Sequence, residues 1–135
     1  MRPRIAVLLP VLALLAAGCG AGRSAPYTAK GTAPCLRTKG FSEVTTDPGK
    51  VGLIAAAADN GGLRARTSDG NVLTIAFAGD ESAVPGTEEA YRKAAPPRYK
   101  RHLQDIMQAQ RNAVLVWTVT PTQQQLQDAE SCLHP

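Results

Sequence analysis

The sequence predicts a small α+β fold of two layers, and three observations carry that prediction. The stretch "GLRARTSDGNVLTIAFA" reads as a hairpin with one apolar face, residues 113–119 read as a buried strand, and Thr120, Pro121 and Gln123 mark the start of a C-terminal helix. The hairpin fixes the register of the sheet. A three-residue loop of Ser68, Asp69 and Gly70 pairs Thr67 with Asn71, Ala65 with Leu73 and Leu63 with Ile75, all on the face that also carries Phe77. A two-residue Asp69-Gly70 turn would pair Arg66 with Leu73 and spoil that face. The register therefore selects the longer loop, with Gly70 at a positive φ, and Arg64 and Arg66 face outward together.

The other elements follow in chain order. Residues 34–39 form a short helix, with Pro34 in its first turn and Gly40 where a left-handed backbone is favoured. Residues 41–46, β-branched at Val44, Thr45 and Thr46, read as a strand. Asp47 caps the next helix with Pro48 behind it, the alanines at 55–58 sustain it, and Asn60-Gly61-Gly62 ends it. Gly49 and Gly52 weaken it by about 1 kcal/mol each relative to alanine, and a strand over residues 51–57 is the alternative. Beyond the hairpin, Thr87 caps a helix over residues 88–95 that Pro96-Pro97 breaks. In the helix after it, Tyr99, Leu103, Ile106 and Met107 make an apolar stripe, with Lys100, Gln104 and Gln108 opposite, and the stripe is read as a core face. Arg111-Asn112 turns the chain into the strand over residues 113–119. The last helix opens on a capping box with Thr120 at N-cap and Gln123 at N3, and turns Leu126, Ala129 and Leu133 inward with Cys132 beside them. The order strand, helix, two strands, helices, strand resembles the βαββαβ order of ferredoxin-like sandwiches, with an extra helix at each end. Fold of this kind imports no function.

The N-terminal segment speaks to location. Arg2 and Arg4 precede an apolar run over residues 5–17, then Gly18 and Cys19. This is the layout of a secretory signal, and the run is shorter than the roughly 20 apolar residues of a membrane span, with Pro10 inside it. The ending Leu-Ala-Ala-Gly-Cys resembles the lipobox of bacterial lipoproteins. That resemblance implies removal of residues 1–18, a lipid on Cys19, and a body held at the extracytoplasmic side of the cell membrane. The chain then divides into a signal peptide (1–18), the lipidated cysteine with a flexible tether (19–32), and one globular domain (33–135). The tether reading rests on "GAGRSAPYTAKGT", which is small, polar and without a hydrophobic period.

Charge and cysteine usage change with that reading. Taking Arg2 and Arg4 from the 15 basic residues leaves 13 against 11 acidic, a net charge of +2 instead of +4. So weak a positive balance, outside the cytoplasm, argues against a nucleic-acid partner. Of the three cysteines, the lipid takes Cys19. Cys35 and Cys132 remain, and two cysteines in an oxidising compartment most simply form a disulfide. They lie too far apart, with no His or Cys at ligand spacing, to suggest a zinc site, and no metal or cofactor is expected.

The search for chemistry yields candidates but no catalytic set. No G-x-S-x-G elbow occurs, and His102 and His134 are the available imidazoles. Carboxylates cluster at Asp80-Glu81 and Glu88-Glu89, where acid/base work or calcium binding has a physical basis, but without a D-x-D-x-D-G loop. Arg98, Lys100 and Arg101, with Tyr99 and Arg111, form a basic surface for a partner or for anionic headgroups, each cation contributing about 1 kcal/mol near such a surface. The expected function is a non-catalytic domain that binds a protein, peptide or small ligand in the cell envelope. Two alternatives stand beside it: a small envelope enzyme using acids near Asp80 with His102, and a structural module lying against anionic membrane.

Overall fold

A five-stranded antiparallel sheet organises the chain in the computed structural model, which describes residues 24–135. Residues 1–18, Cys19 and the first part of the tether lie outside the described residues. The strands are β1 (Ser42–Thr45), β2 (Gly62–Arg66), β3 (Val72–Phe77), β4 (Met107–Gln110) and β5 (Ala113–Trp117), in the spatial order β1-β2-β3-β5-β4. The helices are α1 (Ala29–Thr38), α2 (Leu53–Ala56), α3 (Val84–Ala94), α4 (Pro97–Lys100), α5 (Leu103–Ile106) and α6 (Gln123–Ser131).

The hairpin adopts the expected register. Leu63 faces Ile75, Ala65 faces Leu73, and Thr67 N donates to Asn71 O at 2.9 Å. Gly70 closes the loop at a φ of +89°, a conformation that costs a glycine little and a Cβ-bearing residue much. Because β5 pairs with β3 so that Leu73 faces Trp117 and Ile75 faces Leu115, the period of two puts all these side chains on one face. That face carries the main core, in which Leu36 of α1 and Ala129 and Cys132 of α6 pack on the sheet. The opposite face carries smaller side chains, Ala76, Val114 and Val116, against Val51 and Ala55 on one side and Val84 and Tyr91 of α3 on the other. Gly62 permits this approach, since a Cβ there would sit 2.6 Å from Ala55 O.

Helices thus cover both faces, making three layers where two were expected. The α+β class stands, but the sheet is not that of a ferredoxin-like sandwich. There the βαβ units are split, with a third strand between; here β1 is an edge strand and pairs directly and antiparallel with β2. A fifth strand also arises where a helix was expected. The stretch after Pro97 makes two single turns, α4 and α5, and then Met107–Gln110 pairs with β5 as a short edge strand. One more apolar partner on Val114 and Val116 outweighs the helical period of that stripe.

Three further boundaries differ for local reasons. The first helix begins at Ala29, not 34, and carries Pro34 inside it. It ends as expected, with Gly40 at φ +86° and the pair Gly40 N to Arg37 O and Phe41 N to Leu36 O that closes a Schellman motif. Residues 24–32 are therefore body, not tether: Thr28 caps α1 by accepting from Gly31 N, and Thr28 N donates to His134 O at 2.9 Å. Their small side chains serve close packing, because a Cβ on Gly31 would meet Pro135 O at 2.0 Å. In the second region Asp47 caps only a turn, and Gly52 at φ +88° delays the helix to the single turn Leu53–Ala56. The helix expected from Thr87 starts earlier, at Val84, after a 3-10 turn over Glu81–Ala83.

The capping box of α6 is present two residues later than expected. Thr122 is the N-cap and Gln125 the N3 partner, since the sequence holds two overlapping Thr-x-x-Gln boxes and a tertiary bond chooses between them. Gln125 Nε2 donates to the Asp69 carboxylate at 3.0 and 2.9 Å, joining α6 to the hairpin loop. Thr67, Gln125 and the Asn71 amide together hold the Asp69 carboxyl below its usual range. Thr122→Ala is expected to lower stability by about 1 kcal/mol. Thr120→Ala should stay within about 0.5 kcal/mol of the parent, and urea unfolding of both separates the two registers.

Candidate functional site

The expected disulfide is present. Cys35 on α1 and Cys132 at the end of α6 are bonded with their Cα atoms 5.3 Å apart, on the same side of the sheet. Lys39 and Asp128 add an ion pair of 3.4 Å between the same two helices.

The acidic candidates are each engaged locally. Asp80 caps the 3-10 turn, its Oδ1 accepting from Ser82 N at 2.8 Å, Ser82 Oγ at 2.5 Å and Ala83 N at 3.2 Å. Glu81 lies 3.6 Å from Arg111. Glu88 and Glu89 pair with Arg92 and Lys93 along α3, at the spacings that join side chains on one helix face. His102 does not join Asp80 and Glu81. It borders a different hollow and sits 3.9 Å from Asp105.

The basic residues divide between the two ends of β5. Arg111, at φ +51° in the turn before β5, donates to the carbonyls of Ser24 and Ala25 at 3.0 Å each and stacks 4.3 Å from the centroid of Tyr27. Beside it the buried Asn112 accepts from Tyr27 N at 2.8 Å and donates to Tyr27 O at 2.9 Å and Ala78 O at 2.8 Å. Arg111 and Asn112 therefore clamp residues 24–27 to the body. They border a polar hollow of about 570 Å³ with Asp80 and Glu81, but its polar groups are already bonded to one another. Arg98, Lys100 and Arg101 belong to α4 and the residue after it, by the far end of β5. Arg98 lies 4.9 Å over the ring of Tyr99.

The surface feature best suited to a ligand is apolar. A groove of about 450 Å³ runs between α2 and the segment α3–α5, with Thr74 and Val116 of the sheet among its lining residues. Leu53 and Ile54 line one side, and Tyr91, Tyr99 and Leu103 the other. Pro96-Pro97 shapes this wall by ending α3 and restarting the chain as single turns. A second hollow of about 510 Å³ adjoins it, because Tyr99, Ile106 and Thr118 border both. Small-molecule sites are mostly apolar concavities of roughly 300–1,000 Å³ with a few placed polar groups, and this pair matches that description. The two large hydrophobic residues exposed among the described residues both lie here: Leu53, 87% exposed, lines the groove, and Val119, 59% exposed, lines the hollow.

Sequence reasoning found one wall of this groove, the stripe of Tyr99, Leu103 and Ile106, and assigned it to the core. It serves both: Ile106 is buried, while Tyr99 and Leu103 are half-buried against the core and border the groove. Leu53 and Ile54 were passed over, although two adjacent aliphatics just after Gly52 in a one-turn helix have no core face to occupy. Tyr91 carries a further signature. Its hydroxyl is buried with no hydrogen-bond partner, and burial pushes its pKa up to about 12. The neutral phenol is thus favoured by folding, so the associated stability is full below pH 10 and lost as pH rises towards 12. Tyr91→Phe should remove a phenolate absorbance step near pH 12 and leave neutral-pH stability equal or higher. An alkaline absorbance titration unchanged near pH 12 in that variant would count against this burial.

Comparison with family models, with curated proteins and with solved structures finds no match to this chain. The functional reading rests on its own residues.

Proposed function

We propose that this chain is a lipoprotein of the bacterial cell envelope, anchored through a lipid on Cys19 at the extracytoplasmic side of the membrane. Its body acts as a non-catalytic binding domain, and the groove between α2 and α3–α5 is its ligand site. The location is supported by the signal-like residues 1–19 and by the Cys35–Cys132 bond, which suits an oxidising compartment. The observation that carries the binding reading is that Leu53 and Val119 are exposed on one continuous concavity. Scattered exposed hydrophobes need no explanation, whereas their convergence on a groove marks an interaction site.

Two measurements test this reading. A palmitate analogue should label the protein in cells and fail to label Cys19→Ala; retained label would remove the anchor. An uncharged environment-sensitive dye should bind the body saturably, and Leu53→Glu should weaken that binding about tenfold, the worth of roughly 1.4 kcal/mol. Unchanged dye binding in that variant would move the site elsewhere.

A further inference from the structure

The groove and its adjoining hollow differ in chemistry, and that difference identifies an occupant. The groove wall is mostly hydrocarbon, with Leu53, Ile54, Leu103 and Val116 among its residues and the hydroxyls of Thr74 and Thr118 beside them. The hollow it meets at Tyr99, Ile106 and Thr118 adds Val119 together with Arg98, His102 and Thr120. The joined depression is therefore apolar along most of its course and cationic at one end.

Arg98 is the cation positioned there, and no carboxylate of the described residues forms an ion pair with it. Other arginines near the sheet are engaged: Arg64 and Arg66 with Glu43, Arg92 with Glu88 and Glu89, Arg111 with Glu81. Lys100 and Arg101 beside Arg98 add positive potential and have no ion-pair partner among the described residues. Asp105, 3.9 Å from His102, is the opposing charge nearby. A guanidinium held against an aromatic ring presents a planar fork of donors suited to a carboxylate.

Resting on the groove reading above, we propose that the site takes a free long-chain fatty acid, with the alkyl chain along the groove and the carboxylate at Arg98. Two features favour a single amphiphile over the face of a bilayer. The surface is concave, with room along the groove for one alkyl chain. The clamp of Arg111 on Ser24 and Ala25 also brings the N-terminal side of the body to the start of β5, whereas the groove borders Trp117 and Thr118 at its end. The described chain thus begins at the end of β5 away from the groove.

The single tryptophan, Trp117, belongs to the main core and is 1% exposed, but it also borders the groove, within the range over which a bromine quenches. The chain carrying Cys19→Ala is titrated with ω-brominated dodecanoate and with the matching ω-brominated dodecanol, reading quenching of Trp117. Saturable quenching by the acid is expected, with the alcohol about tenfold weaker. Exposed Arg98→Gln should bring the acid down to the affinity of the alcohol and leave the alcohol unchanged. Equal affinities in the parent chain, or a preference for the acid that survives Arg98→Gln, would overturn the fatty-acid assignment while leaving the groove a binding site. Quenching by neither compound would overturn both. Quenching solely by brominated phosphatidylglycerol in vesicles would overturn it in favour of a membrane-facing surface.

Discussion

Removing the disulfide is expected to lower the unfolding free energy of the body by about 2–5 kcal/mol, a large share of the roughly 5–15 kcal/mol that holds a domain together. The bond joins residues 97 apart in sequence, so in the chain-entropy model it restricts nearly the whole unfolded globular body, worth at most about 4.7 kcal/mol for a loop of this size. Its loss also frees α1 and α6 to part on the core face, leaving the partly exposed 3.4 Å pair of Lys39 and Asp128 as their charged link. Alanine is the better replacement, because Cys132 is 2% exposed and a serine hydroxyl there would add an unpaired polar group. Chemical unfolding of Cys35→Ala/Cys132→Ala measures the loss. A thiol reductant should destabilise the parent by a similar amount and the double variant not at all; equal sensitivity of both would place the effect outside this bond.

Asn112→Ala should cost about 3 kcal/mol. The side chain is 1% exposed and makes three bonds, to both backbone groups of Tyr27 and to Ala78 O. Deleting it strands several backbone groups in a buried setting, and each unsatisfied group costs about 1–3 kcal/mol unless the segment moves out to water. The cheaper escape is local. Residues 24–27 would then peel from the body, with Arg111 losing the geometry of its carbonyl contacts. Hydrogen exchange at the Tyr27 amide distinguishes the outcomes: it should speed up well before global unfolding, and a Tyr27 amide as protected as in the parent would show that Asn112 is not its support. Asn112→Asp keeps the acceptor for Tyr27 N but sets an anionic oxygen against two carbonyls, so it should not rescue.

How much of this was legible depended on whether local pattern or distant partners decided each element. The hairpin register was readable because a slip by one residue would turn Leu63, Leu73 and Ile75 to the wrong face. Gly40 ended α1 as expected because a left-handed residue there satisfies two carbonyls locally. The start of α6 was misplaced by two residues because both Thr-x-x-Gln boxes satisfy the same local rule, and Asp69, more than fifty residues away, settles the choice through Gln125. Met107 closes the stripe of Tyr99, Leu103 and Ile106 read as one helix face, but it can equally open an edge strand, and pairing with β5 decides for the strand. Small residues before Pro34 read as a tether in sequence because composition does not distinguish flexibility from close packing. The groove was least legible. Its lining comes from α2, β3, the α3–α5 segment and β5, and no single stretch carries its pattern.

The Cys35–Cys132 bond has one more consequence, of a topological kind. It closes most of the body into a covalent ring, with an N-terminal tail on one side and residues 133–135 on the other. Tension applied through that N-terminal tail can peel the chain only as far as residue 34; beyond it the load divides at Cys35 and crosses directly to Cys132. A protease cut anywhere within the ring opens it without releasing a fragment. Every piece stays joined to the N-terminal side until a second cut or a reductant frees it.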